Sequence, residues 1–472
     1  MRTGAVAWTL WVLCLGSGCF YPTFQSMPAG TSHAGEVHAA SDVRFFADLT
    51  SVDSAGQRHV EQHIFDEVFR MISAAERFVL VDMFLFNDFQ GDIREETRAL
   101  SAELTQTLIA RKRERPELGV VVISDPVNTV YGGIESKHFE ALEEAGIQVI
   151  VTRLDRLRDS NPTYSGFWRL IVKPFRNNNL PTLPSPFGGE RVSLRSYLAL
   201  LNFKANHRKV VLADNGSDYI GLVTSANPHD GSSAHGNVAI RFGGPAVGDL
   251  LETEKAIIAF SDGKVPDISI RTSPQVGDST VQVLTEKKIR DVLLENLERA
   301  KRGDRLALAM FYLSDRAVVE ELISAHERGS SVRILLDPNK DAFGYKKNGI
   351  PNRPVAAALR ESGIPVRWCD THGEQCHAKM LLADYADGES VLLLGSANFT
   401  RRNLQDFNLE TNVAVRGSPD AQALRDARAY FELVWGNDGG RVFSVPYEAY
   451  GEESTRKRFL YWLQETTGLS SF

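Results

Sequence analysis

Two stretches decide the architecture: His207-Arg208-Lys209-Val210-Val211-Leu212-Ala213-Asp214 and His377-Ala378-Lys379-Met380-Leu381-Leu382-Ala383-Asp384. In each, a histidine and a lysine stand two apart at the start of an apolar run that reads as a β-strand. Side chains at i and i+2 share a face of a strand, so the imidazole and the ammonium project together. Asp214 and Asp384 fall five residues after their lysines, on the opposite face, where structure and domain packing are their expected work. Each stretch is followed by a second apolar strand that ends in a polar turn, Thr224-Ser225-Ala226-Asn227 and Gly395-Ser396-Ala397-Asn398. One His-x-Lys-x4-Asp is weak evidence. Two copies with the same companion turn point to an internal repeat that carries chemistry.

Working outward, the repeat extends over most of the chain. A helical pattern at His59 to Phe78 leads into the apolar run Val79 to Asp88, and Ile289 to Arg302 leads in the same way into Leu306 to Asp315. Val120-Val121-Val122-Ile123-Ser124-Asp125-Pro126 answers to Val332-Arg333-Ile334-Leu335-Leu336-Asp337-Pro338. Ala141 to Ile147 answers to Ala358 to Ile364, each a helix end with Gly146 or Gly363 as C-cap. Apolar strands alternating with helices, twice over, predict an α/β fold of two repeated domains with mixed sheets flanked by helices. The first repeat is expected over 42–262 and the second over 275–440, with 441–472 as a C-terminal extension. Ser261-Asp262-Gly263 and Pro266 break the pattern between them. The first repeat is longer: Gly146 to His207 spans 61 positions and Gly363 to His377 spans 14. The resulting insertion, 154–206, is a candidate lid or binding loop.

The paired motifs resemble those of the phospholipase D superfamily, in which His-x-Lys-x4-Asp followed by Gly-Ser-x-Asn is present twice. The resemblance covers nearly all of Asp42 to Asn437. It implies a pseudo-twofold pair of α/β domains with both motifs meeting at the interface, and a phosphodiester cleavage that needs no metal or other cofactor and passes through a phosphohistidine. It implies His207, Lys209, His377 and Lys379 as catalytic, within motifs completed by Asp214 and Asp384, and Ser225, Asn227, Ser396 and Asn398 as phosphate-binding. Two departures stand out. Thr224 replaces the Gly of the first Gly-Ser-x-Asn, and only the second half has a carboxylate at the family's downstream acidic position, Glu410. With Glu410-Thr411-Asn412-Val413-Ala414 set against His235-Gly236-Asn237-Val238-Ala239, Glu410 is expected to orient a motif histidine and favour its protonated form. On that reading His377 is the general acid and His207, lacking a carboxylate at the matching place, the nucleophile.

The net charge of -7 and pI near 5.9 argue against a protein whose main work is coating nucleic acid. Arg2 and the apolar run Ala5 to Leu15 read as an export signal, 1–18, too short to span a bilayer. Leu15-Gly16-Ser17-Gly18-Cys19 resembles a bacterial lipobox, with Cys19 as the lipidation site and 19–41 as a flexible tether; ordinary signal cleavage, leaving a soluble exported protein, is the alternative. Cys369 and Cys376 pair as a disulfide in an oxidising compartment and stay thiols otherwise. Zinc ligation by Cys369, His372, Cys376 and His377 is set aside, because a histidine tied to zinc cannot attack phosphorus. The insertion holds eight Lys or Arg against three Asp or Glu between Leu154 and Asn206, interleaved with Tyr164, Phe167, Trp168, Phe175 and Phe187. That mixture suits a membrane interface and could also stack nucleic-acid bases. The leading reading is a phospholipid-directed enzyme of cardiolipin synthase or phospholipase D type, working at a membrane surface as a monomer because both motifs lie in one chain. A nuclease and a catalytically silent, membrane-tethered binding module are the rivals.

Overall fold

The computed structural model describes residues 26–90, 98–174, 180–185, 187, 191–270, 277–342, 345–452 and 454–467. The first repeat supplies β1 (His38–Asp53), β2 (Phe78–Met83), β3 (Gly119–Ser124), β4 (Gln148–Val151), β5 (Lys209–Asn215), β6 (Asp218–Thr224) and β7 (Asn237–Gly243). The second supplies β8 (Ser279–Thr285), β9 (Arg305–Met310), β10 (Ser331–Leu336), β11 (Val366–Cys369), β12 (Lys379–Asp384), β13 (Ser390–Gly395) and β14 (Thr411–Gly417). The two sheets have one topology. The first runs β4-β3-β2-β5-β6-β7-β1 and the second β11-β10-β9-β12-β13-β14-β8. In each, the three strands at one end are parallel and the rest antiparallel. His38 to Ala40 of β1 pair with β8 and join the sheets edge to edge.

The helices repeat as well: α1 (Ile64–Ala74), α2 (Leu100–Glu114), α3 (Lys137–Glu144) and α4 (Ala246–Phe260), then α5 (Lys287–Arg299), α6 (Arg316–Glu327), α7 (Asn352–Glu361) and α8 (Gln422–Gly436). Alternate residues of β5 divide between two cores, as period 2 requires. Val211 and Ala213 join α1 to α3 in a core of the first half, while Val210 and Leu212 enter a central core with Met380 and Leu382 of β12. That shared core is what holds the two repeats face to face. Gly146 and Gly363 end α3 and α7 with φ of 77° and 86°, and the next amides, of Ile147 and Ile364, donate back to Leu142 and Leu359. These are the C-caps the sequence signals.

Two local expectations are corrected. The helix expected from His59 begins only at Ile64, because Asp48 accepts from the amides of His63 and Ile64 and caps it there; Arg58–Glu61 instead pair as a strand with the end of β1. The segment before Ser41, expected as tether, is bonded from Ser32 onward to the second half. Ser32 N–H donates to Glu286, His33 N–H to Thr285 Oγ1 at 2.8 Å, and Gly35 N–H to Val283 O at 2.9 Å. Low hydrophobicity hid this, since the anchoring is by backbone amides. The signal and Cys19 lie outside the described residues. No helix among the described residues is long and apolar enough to cross a membrane.

Candidate active site

The segments that lead into β5 and β12 cross from one repeat to the other. His207 N–H donates to Leu409 O at 2.9 Å and His377 N–H to Gly236 O at 2.8 Å; Leu409 N–H returns to Ala205 O and Gly236 N–H to Gln375 O, each at 3.0 Å. Each histidine is therefore fixed by the backbone of the opposite half. Asp125 and Asp337, the aspartates of the repeated Asp-Pro, brace the same segments by accepting from Asn206 N–H at 2.7 Å and Cys376 N–H at 2.8 Å. Burial pushes their carboxyls up to about 7 and about 6. Phe84 and Phe311 lie against the imidazoles of His207 and His377, with centroids 4.7 and 4.9 Å apart, and Lys209 and Lys379 sit 5.1 and 5.0 Å from the same two rings. These four residues were not singled out from sequence, although the repeated Met-Phe and Asp-Pro at corresponding strand ends were the available signal.

His207 and His377 open on one cavity of about 500 Å³, lined also by Asn227, Asn398, His229, His235, Lys347 and Arg402 among mostly apolar residues. Lys209 and Lys379 are fully buried, and each ammonium donates to the carbonyl of its own histidine, at 2.7 and 2.8 Å. Burial drives the Lys209 ammonium down to about 7 against the opposing pull of Glu410, and Lys379 well below its usual value, with Lys209 adding repulsion. Burial also lowers His207 to about 4, with Glu410 opposing, and lowers His377 well below the usual range, aided by Lys379. An anion held among these groups would offset that desolvation.

The buttress of each histidine corrects the sequence alignment. Glu410, fully buried, accepts from His207 Nδ1 at 3.0 Å, so it serves the opposite half and leaves His377 to another group. His377 Nδ1 lies 3.0 Å from Asn237 Oδ1, and Asn237 Nδ2 donates to His235 O, which fixes the carboxamide with its oxygen toward the imidazole. Sheet register explains the misreading. Thr224 pairs with Ala239 and Gly395 with Asn412, so Asn237, two residues beyond His235, is the counterpart of Glu410. The shared Asn-Val-Ala in both segments had pulled the alignment out of register.

Ser225 and Ser396, expected to bind phosphate, are buried and serve these buttresses. Ser225 Oγ donates to Asn237 Oδ1 at 3.0 Å, and Ser396 Oγ donates to Glu410. Each also accepts a β-strand amide, from Val238 and Thr411, so neither hydroxyl reaches the cavity. Asn227 and Asn398 do line it. Thr224 is compensated locally: its hydroxyl accepts from Ala226 N–H at 3.0 Å, as Asn412 Oδ1 accepts from Ala397 N–H at 3.1 Å in the other half. A Cβ on Gly395 would stand 2.3 Å from Thr411 O, so that turn requires glycine where β14 carries Asn412.

Asp214 accepts from the amides of Arg77 and Phe78 at 2.8 Å, and Asp384 is held by Arg428 and Ser390; both lie outside the cavity in structural roles. Among the described residues, only the first half carries a buried charge network next to its histidine. Arg208 donates to Glu254 at 3.0 Å and Glu286 at 2.7 Å, and Glu286 accepts from Glu410 N–H at 3.1 Å. In the second half Ala378 takes the place of Arg208. Cys369 and Cys376 form a disulfide just before His377. Among the described residues no cluster of three His, Cys, Asp or Glu is placed to hold a metal ion.

The insertion forms one wall. Phe187 stacks on Phe89, with centroids 6.1 Å apart, and both line the cavity with Leu200 and Phe203. Its basic excess is partly structural, because buried Asp159 pairs with Arg169 at 2.6 Å and with Lys204 at 2.8 Å. Phe175 lies outside the described residues.

Residues 293–435 match the family described as the phospholipase D-like domain of cardiolipin synthase. The chain is 26% identical over 227 residues to the minor cardiolipin synthase ClsB of Bacillus subtilis (strain 168), an overlap of 45% of this chain and 52% of that protein. It thus spans about half the length of that curated relative. Its fold is similar to that of the phosphatidylserine synthase of Haemophilus influenzae Rd KW20, with a TM-score of 0.55, 12% identity, and coverage of 91% of this chain and 94% of the other. The family match thus falls on the second repeat, and the likeness of fold to that synthase extends over both repeats.

Proposed function

We propose that this chain is a phospholipid phosphodiesterase or phosphatidyltransferase whose single active site is shared by the two repeats. The observation that carries the reading is the pair of reciprocally anchored histidines opening on one largely apolar cavity. Glu410 holds the Nδ1–H of His207 and leaves its Nε2 lone pair for attack on phosphorus. A carboxylate there also balances the positive charge that the imidazole gains on phosphorylation. The phosphorus–oxygen bond to the leaving alcohol breaks, and His377, protonated, gives its proton to that oxygen. Burial, with its lysine neighbours, makes His377 a weakly held acid whose protonated form the substrate anion favours, and its neutral Asn237 buttress does nothing to hold that proton back. Water or an alcohol then displaces His207 and passes its proton to His377. Lys209 and Lys379 supply positive charge, with Asn227 and Asn398 facing the phosphate. His207 remains the proposed nucleophile, on grounds opposite to those the sequence suggested.

Export through residues 1–18 and lipid attachment at Cys19 belong to this reading and would hold the enzyme at its substrate. The insertion wall, with Phe187, Leu200 and Phe203 in the cavity, is the element proposed to choose the substrate. The test is to incubate the purified protein in parallel with phospholipid vesicles and with DNA. Release of headgroup or transfer of phosphatidyl groups supports the reading; cleavage of DNA alone makes it a nuclease, and inactivity on both leaves a binding module.

A further inference from the structure

The C-terminal helix, Thr455–Thr467, is built with apolar residues on its outer face. Phe459, Trp462 and Leu463, spaced i, i+3, i+4 on one stripe, are 59%, 49% and 37% exposed, and the first two rings stack with centroids 5.9 Å apart. The inner face is well anchored, so the stripe is not the outside of a loosely held tail. Tyr461 Oη donates to Ser314 O at 2.8 Å, and Glu465 accepts from Ser314 Oγ at 2.6 Å. Leu460 and Tyr461 pack on Phe311, Tyr312 and Ile350, and Phe311 and Tyr312 are cavity wall.

A second exposed apolar patch, Phe167, Leu170 and Ile171, belongs to the insertion. The elements that carry the two patches reach one residue of the cavity wall. Arg402, in the cavity wall, stacks 5.0 Å from Phe203 of the insertion and feels the charge of Glu465 on the C-terminal helix. Cations border both patches: exposed Arg456 at the start of the helix, and Lys173 with Arg195, the latter 5.9 Å from the Trp168 ring, beside the insertion. Aromatic and aliphatic side chains bordered by cations are what an anionic lipid–water interface takes up.

We propose that the C-terminal helix is a membrane-docking arm that sinks Phe459, Trp462 and Leu463 into a phospholipid bilayer and, with the insertion's Phe167, Leu170 and Ile171, sets the cavity against the lipid surface. This rests on the phospholipid reading of the site, and the test separates the two. Full-length protein and its F459S/W462S/L463S variant, both carrying C19S so that no acyl chain contributes, are compared by sedimentation with phosphatidylcholine–phosphatidylglycerol vesicles. Turnover of those vesicles and of bis(p-nitrophenyl) phosphate is measured alongside.

Vesicle binding and vesicle turnover are expected to fall at least about tenfold in the variant, because about 1.4 kcal/mol of lost apolar transfer already gives that factor. The soluble diester should be cleaved at a rate close to that of the parent. Unchanged vesicle binding overturns the proposal whatever happens to turnover. So does a parent dimer that the variant dissolves while still binding vesicles, which makes the stripe a seam between copies. Vesicle binding that depends on the stripe, without turnover of any diester, upholds the docking arm and removes the functional reading. If the triple variant does not fold, F459S alone, a change at an outward position, must still weaken vesicle binding for the proposal to stand.

Discussion

The two repeats place their histidines by the same backbone bonds and then surround them differently. His207 faces a carboxylate, Glu410, that is tied through Glu286 to buried Arg208. His377 faces a carboxamide, Asn237, with Ala378 beside it and, among the described residues, no counterpart of that charge network. A symmetric scaffold thus carries an asymmetric pair, and we propose that the asymmetry is a division of labour: a carboxylate suits a phosphorylated, cationic imidazole, while a carboxamide orients its partner and leaves it a readier acid.

The comparison is most sharply tested by removing each ring. His207→Ala should lower turnover by about 10⁴-fold or more on every phosphodiester, since the covalent intermediate is lost. His377→Ala should cost as much with a phospholipid, yet no more than about 10²-fold with a p-nitrophenyl diester, whose leaving group departs without a proton. Parallel kinetics on the two substrates would break the comparison if both variants showed the same dependence on leaving group.

The buttresses should follow in the same order with smaller effects. Glu410→Gln is expected to reduce kcat about 10²-fold and Asn237→Ala about tenfold, because a charged acceptor does more for an imidazolium than a neutral one. Steady-state rates with one soluble diester suffice, and a larger loss at Asn237 would invert the assignment.

The pH profile offers a milder test. Lys209 is charged below and neutral above its depressed value of about 7, while His207, at about 4, stays neutral and nucleophilic over the range between. With a p-nitrophenyl diester, whose leaving group needs no proton from His377, kcat/KM should therefore fall as pH rises through about 7. Glu410 raises the Lys209 value, so Glu410→Gln must shift that alkaline limb to lower pH; a shift upward, or none, would detach Glu410 from the lysine.

The smallest effect concerns the approach to the second histidine. There a disulfide of sequence separation 7 braces the segment, whereas Asn206 in the first half is held by hydrogen bonds to Asp82 at 2.9 and 3.0 Å. Cys376→Ser should cost about 2 kcal/mol of stability by the loop-closure argument and only a few-fold in activity, checked by chemical unfolding beside a rate assay.

The fold was legible in the sequence because a duplicated pattern confirms itself: strand, helix, Asp-Pro and Gly C-cap recur in one order, and chance does not repeat an order. Both histidines and lysines were legible for the same reason. The buttresses were not. Which residue faces His377 depends on the pairing of β6 with β7 and of β13 with β14, and a two-residue slip is invisible when both candidate segments read Asn-Val-Ala. The serines misled because a hydroxyl in a polar turn can serve a ligand or a neighbouring carboxylate, and only burial decides between them. The packing of Ser32 to Ala40 was hidden because main-chain amides, which every sequence has, make most of its bonds.

The central claim is that the carboxylate-backed ring takes the phosphoryl group. Rapid acid-free quenching of the enzyme during turnover of a labelled short-chain phospholipid, followed by peptide mapping, locates the label directly. The account predicts phosphorylated His207, with the label lost in His207→Ala and accumulating in His377→Ala supplied with a p-nitrophenyl diester. Label on His377 would contradict it.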